Sequence, residues 1–159
     1  MSAALKSIPV DDAPLRAAGD VRRVTEADLR VIGPAVCERL KAKFPAASTD
    51  ALMAHLRAQV LRLDILFVRT ENAIAMFEVV REPLCDADIR ERFVFAMPKT
   101  SPEAVAEAAD LYPFAMRWGD DIYVTNMYIE ELSDVPRDMI KERVGKIRLK
   151  QQTYVALAT

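Results

Sequence analysis

Phe93-Val94-Phe95-Ala96-Met97-Pro98-Lys99-Thr100-Ser101-Pro102-Glu103-Ala104 runs from an apolar, β-rich stretch through a short loop into a helix start. Ser101 as the capping residue, Pro102 at the first helical position and Glu103 in the first turn are each favoured at a helix N-terminus. A strand-to-helix junction exposes the unpaired backbone N–H groups of the first turn, which is a common architecture for holding an anion. Glycines normally let the backbone approach such an anion, and this loop has none. It has two prolines, each of which brings no N–H. The chain's four glycines, at 19, 33, 119 and 145, all lie elsewhere.

Upstream, Asp64 to Met97 reads as a meander of three strands. Ile65 to Val68 is the first, Glu71-Asn72 turns the chain, and Ala73 to Val80 is the second. Pro83 to Asp88 is a loop, and Arg92 to Met97 is the third strand. The outer strands are nearly continuous apolar runs, as expected of strands buried on two faces. Before the meander, Val21-Arg22-Arg23-Val24 predicts a short edge strand. Thr25 then caps a helix, with Asp28 three residues on. Gly33-Pro34 predicts a break and a second helical piece with a buried stripe of Val36, Leu40 and Phe44, stopped by Pro45. Ser48-Thr49-Asp50 opens another helix with an apolar face of Leu52, Leu56, Val60 and Leu63.

Downstream, the helix from Ser101 is expected to bury Val105, Ala108, Leu111 and Tyr112. Pro113 should kink or end it, and Gly119 should end any helix beyond the proline. Trp118 reads as the more exposed aromatic. With Tyr112 and Phe114 it either packs the helix end onto the sheet, the favoured reading, or forms a contact patch. Asp121 to Met127 predicts a fourth core strand. Ser133-Asp134 with Pro136 starts a short helix, Gly145 suits the left-handed position after it, and Lys146 to Ala158 is a last strand. The expectation is one α/β (α+β) domain over residues 21–159, in the order β-α-α-β-β-β-α-β-α-β. Residues 1–20, with Ile8-Pro9, Ala13-Pro14 and Gly19 and no periodicity, read as an extended arm.

The 159 residues suffice for one domain with a real core. A net charge of −2 argues against non-specific nucleic-acid binding. No apolar run approaches the ~20 residues of a membrane span, and Met1 to Lys6 has no signal-peptide hydrophobic region. The expected setting is cytoplasmic. Cys37 and Cys85 read as reduced thiols, and the lone His55 as a surface or boundary side chain. Without a Cys/His cluster no structural zinc site is expected. Asp86/Asp88 and Asp120-Asp121 read as solvated turns, and the methionines at 76, 97, 116, 127 and 139 as core filler.

Several stretches together resemble the GCN5-related N-acetyltransferase (GNAT) fold. Val21-Arg22-Arg23-Val24-Thr25-Glu26-Ala27-Asp28-Leu29 is similar to that family's opening. The meander from Asp64 to Met97 looks like its central strands, and Ser101 to Trp118 sits where its coenzyme-binding helix sits. Tyr123-Val124-Thr125-Asn126 looks like its next strand, and Val144-Gly145-Lys146 resembles the glycine after its last helix. The family's Arg/Gln-x-x-Gly-x-Gly/Ala signature, which holds the coenzyme A pyrophosphate, is replaced here by Pro98-Lys99-Thr100-Ser101-Pro102. Asn126 to Gly145 is also longer than the family's usual connection.

The resemblance implies two roles. The first is a non-enzymatic structural or assembly protein with a degenerate GNAT-like fold, which binds protein partners through the arm 1–20 and belongs to an oligomer or larger assembly. Degenerate members occur among tailed-phage proteins, so a virion or accessory component is one such role. This reading needs no cofactor. The alternative is a divergent N-acyltransferase that uses acetyl-coenzyme A. The coenzyme would then lie on the backbone of Val94, Ala96 and Met97, with Lys99, Thr100 and Ser101 at its phosphates and Asn126 nearby. Glu78 or Glu91 would be the general base, and Tyr128 or Tyr123, on or just past the fourth strand, the general acid. Structural readings compete at each position: a solvated or ion-paired carboxylate for the glutamates, packing for the tyrosines, and capping of its own helix for Ser101.

Overall fold

The computed structural model describes residues 21–81, 87–124, 126–129 and 132–144. A short strand β1 (Arg22–Arg23) leads into α1 (Glu26–Lys41), α2 (Thr49–Val60), β2 (Ile65–Arg69), β3 (Ala73–Val80) and β4 (Asp88–Ala96). Then come α3 (Pro102–Ala109), α4 (Leu111–Asp121), β5 (Met127–Tyr128) and α5 (Arg137–Val144). The five strands form one mixed sheet in the order β1-β2-β3-β4-β5. The first four are antiparallel neighbours, and β5 runs parallel to β4. The expected α/β (α+β) class is the one observed.

Successive strand side chains point to opposite faces, and both faces here are apolar. Ile65, Phe67, Ile74, Met76, Phe93 and Phe95 pack against Leu29, Val36, Leu40, Leu52 and Leu56 of α1 and α2. Leu66, Val68, Ala75, Phe77, Ile89 and Val94 pack on the other side against α3, α4 and α5, through Ala104, Ala108, Tyr112, Trp118 and Ile140. The sheet is therefore the middle of three layers. Between β3 and β4 the register shifts: Met76 opposes Phe93 but Phe77 opposes Glu91, so Arg92 is the extra residue of a bulge.

Capping fixes the helix starts as the sequence suggests. Thr25 and Asp28 form a reciprocal capping box, and the hydroxyls of Ser48 and Ser101 accept from the amides of Ala51 and Ala104. Gly33-Pro34 does not break α1, which runs through both residues. Pro34 and Arg30 are exposed, so water can take the Arg30 carbonyl that Pro34 cannot serve. Gly33 is instead the point of close approach to α2: a Cβ there would lie 2.7 Å from Met53 Sδ. Phe44 and Leu63 lie beyond their helices and are exposed, so neither extends a buried stripe.

The helix from Ser101 breaks at Asp110, three residues ahead of Pro113. Pro113 has no N–H for the carbonyl four residues back and its ring crowds that carbonyl, so the break falls before the proline. Gly119 lies inside α4, and Trp118 is buried with Tyr112 and Phe114 in the core. Asp121 still belongs to that helix, so the expected fourth strand shrinks to Met127–Tyr128. β4 starts at Asp88, four residues earlier than expected. Its charged Asp88 and Arg90 alternate with buried Ile89 and Glu91, a period-2 pattern that reads as a loop when only charge is weighed. The arm 1–20, Cys85, Gly145 and the expected strand 146–158 lie outside the described residues. Among the described residues no helix is long and apolar enough to cross a membrane.

Candidate functional site

The junction singled out by the sequence is the C-terminal half of β4 with the loop behind it. In a strand, alternate amides face alternate neighbours, so the amides of Val94 and Ala96 face away from β3. Both are engaged by a returning piece of chain. Val94 N–H donates to the Leu132 carbonyl at 3.1 Å, and the Val94 carbonyl accepts from Asp134 N–H at 2.9 Å. Ala96 N–H donates to Asp134 Oδ2 at 2.9 Å. Lower on the same edge, Ile89 N–H donates to the Asn126 carbonyl at 2.8 Å and β5 pairs with Ile89 and Arg90. Met97 N–H turns back to the Asn72 carbonyl at 2.8 Å.

Residues 132–135 behave as a strand because their side chains alternate. Leu132 packs with the α1/α2 core and Val135 with the opposite core. Ser133 Oγ lies 2.7 Å from Tyr112 Oη, and Asp134 pairs with Arg39 of α1. Arg39 also donates to the Ala96 carbonyl at 3.3 Å and stacks its guanidinium over the Phe95 ring at 4.5 Å. One side chain thus ties α1, β4 and the returning segment together.

Behind β4, Glu91 is fully buried and accepts from the Tyr112 hydroxyl. Ser133 Oγ completes this buried polar group and accepts from Val135 N–H at 3.0 Å. Burial, then the charge of Glu91, holds the Tyr112 phenol well above its ordinary value, so Tyr112 keeps its proton at neutral pH. Phe77 meets the Tyr112 ring edge to face and helps to fix it.

The loop after β4 forms a turn closed by Ser101 N–H donating to the Pro98 carbonyl at 3.1 Å. Lys99 and Thr100 are exposed. At the start of α3, Pro102 has no donor, Ala104 N–H is taken by Ser101 Oγ, and Val105 N–H by the Ser101 carbonyl. The Glu103 carboxylate accepts from Ser101 Oγ at 3.1 Å and adds negative charge where an anion would sit.

The proposed chemical groups are only partly brought together. Glu78, Arg90 and Tyr128 are cross-strand partners in one row, and Arg90 lies over the Tyr128 ring at 5.4 Å. Two strand spacings, roughly 10 Å, separate Glu78 from Tyr128. Glu78 is ion-paired to Arg92 at 2.7 Å and to Arg62 at 3.3 Å. Glu91 is neither solvated nor beside Glu78: it faces the α3/α4 layer on the other side of the sheet. Tyr123 is 94% exposed at the end of α4, and its backbone has φ 61°. Asn126 contributes its backbone carbonyl to the β4 edge. His55 is exposed on α2, and burial lifts the Cys37 thiol above its ordinary value.

Arg39, Tyr112, Leu132, Ser133 and Asp134 carry this region, and the sequence reading assigned none of them to it. Ser133-Asp134 ahead of Pro136 carries the pattern of a helix start, while both side chains serve the sheet. The alternation of Leu132, Ser133, Asp134 and Val135 is the signal that points to an extended segment. Compared with protein-family models, with curated proteins and with solved structures, the chain matches none.

Proposed function

We propose that this chain is a non-enzymatic assembly component, a GNAT-like sheet kept for its shape, with the arm 1–20 as the contact to protein partners. The element order and the central meander support the resemblance, which at this level is an analogy of topology. The observation that carries the proposal is the occupied edge of β4. The Val94 and Ala96 amides, which a coenzyme's pantetheine arm would need, already donate to Leu132 and Asp134.

Opening that edge would cost two backbone hydrogen bonds and one to a carboxylate, about 4 kcal/mol together. That penalty weakens any ligand by nearly three powers of ten. The capped, proline-flanked start of α3 offers little to offset it, since Glu103 repels phosphate there. The carboxylate of Glu78 is held by two guanidiniums and is poorly placed to deprotonate an amine.

Calorimetric titration with acetyl-coenzyme A tests the proposal. No saturable heat is expected, and Lys99→Glu should leave the titration unchanged because Lys99 is an exposed loop charge. Micromolar binding that Lys99→Glu abolishes would overturn the proposal in favour of the acyltransferase.

A further inference from the structure

Arg22 and Arg23 are neighbours on β1 and meet different surroundings. Arg22 turns to α1, where it and Arg69 close on Asp28. Arg23 points to the opposite face, on which Val21 and Val68 join the core under α3, α4 and α5. Its Nε and Nη2 are buried there, and among the described residues neither has a hydrogen-bond acceptor. Burial lowers the pKa of this side chain, as it does for any cation held away from water.

A buried donor without an acceptor destabilises a fold, so packing gives no account of an arginine at this position. The two nitrogens define what is missing. Nε and Nη2 lie on one edge of the guanidinium, and a carboxylate bridges such an edge with two parallel hydrogen bonds. Arg62 fills the same edge with Asp64, at 2.9 Å from Nε and 2.5 Å from Nη2.

The backbone beside Arg23 also faces outward. Val24 N–H donates to the Phe67 carbonyl at 2.9 Å, so Arg23, opposite Val68, turns its own N–H and carbonyl away from β2. Among the described residues no strand lies on that side, since β1 ends the sheet. An extended chain laid there gains main-chain hydrogen bonds, and its side chains gain cross-strand contacts. β1 follows directly on residues 1–20, so a partner held by the arm lies next to this edge.

We propose that the outer edge of β1 takes an extended acidic segment of a partner protein, which pairs with the Arg23 backbone and sets a carboxylate on Arg23 Nε and Nη2. The inference rests on the reading of the chain as an assembly component. Peptide binding and the acetyl-coenzyme A titration are separate readouts, so either can fail alone.

The test is a titration of the full chain with acetyl-Thr-Val-Glu-Val-Thr-amide and with the same peptide carrying Gln in place of Glu, followed by backbone amide and arginine Nε–H shifts. The Glu peptide should bind saturably and at least about tenfold more tightly than the Gln peptide, shifting the Arg23 amide and its Nε–H. Arg23→Gln should bind both peptides equally and melt no lower than the natural chain, because it removes an unpartnered buried cation. Arg23→Lys, which keeps the charge without the two-nitrogen edge, should lose most of the preference for Glu. The arm's Asp11, Asp12 and Asp20 carry the same chemistry, so replacing all three by Asn should leave the Arg23 Nε–H signal in place. Equal affinity for the two peptides, a Glu preference retained in Arg23→Gln, a lower melting temperature of that variant, a moved Nε–H signal in the triple Asn variant, or no saturable binding of the Glu peptide would each overturn the proposal.

Discussion

Asp134 accepts from Arg39 and from the Ala96 amide, and its own amide donates to Val94. Removing its carboxylate strands a largely buried guanidinium and a strand-edge N–H together. Asp134→Ala is therefore expected to cost about 3 kcal/mol of unfolding free energy in urea titration. Asp134→Asn, which keeps the acceptor for Ala96, should cost less. In sequence this aspartate has the look of a helix-capping residue, because its partners are 38 and 95 residues away and no local pattern reports them. Tyr112 gives a second residue-level prediction. Its folded-state proton affinity is raised, so its contribution to stability is complete below the unfolded phenol's pKa near 10 and is lost as pH rises above it. Tyr112→Phe should flatten the alkaline limb of the stability profile, although its neutral-pH stability falls through the lost bonds to Glu91 and Ser133.

The end of α4 illustrates how an element is terminated without the glycine that sequence reading assigns to the task. Ile122 is the C-cap, Tyr123 comes next in the left-handed conformation, and two bonds close the end. Val124 N–H reaches the Gly119 carbonyl at 2.8 Å, and Tyr123 N–H the Asp120 carbonyl at 3.2 Å. This is the Schellman arrangement, and its left-handed position is usually glycine. Tyr123→Gly should therefore raise stability by about 1 kcal/mol by thermal or urea unfolding, since the exposed ring gives up little packing. Gly119 has a different task. A Cβ there would clash with the Ile89 side chain and lie 2.5 Å from the Val124 carbonyl, so Gly119→Ala should cost about 2 kcal/mol. Adding Ile89→Val should restore only part of that, because the backbone carbonyl remains. At the other end of the sheet, Asp28 binds Arg22, Arg69 and the α1 cap. Burial pushes its carboxyl up, but the bonds from Arg22 and Thr25 outweigh this and hold it below its ordinary value. Its stabilisation is present above pH ~4 and fades as pH falls through that region, so Asp28→Asn should show a shallower acid limb. The capping box, the meander and the serine cap of α3 were readable because each is a local pattern. The passage of α1 through Gly33-Pro34 depends on whether the carbonyl that Pro34 cannot serve faces water, which only the packed molecule decides.

At the scale of the whole molecule, apolar runs on both faces of the meander announce a three-layer sheet. The outer edge of the C-terminal half of β4 is closed by a segment about 40 residues further on. If the arm is the partner contact, a chain beginning at Val21 should stay folded, with an unchanged melting temperature, while losing its assembly in sedimentation analysis. Normal assembly of that truncated chain would remove the arm from the account. The occupied edge of β4 is tested most directly by amide hydrogen exchange at Val94 and Ala96, measured with and without acetyl-coenzyme A. Strong protection of both amides is predicted in the free protein, unchanged by the coenzyme. Rapid exchange of these amides in the free protein, or protection gained only when acetyl-coenzyme A is added, would contradict an edge closed by the chain itself.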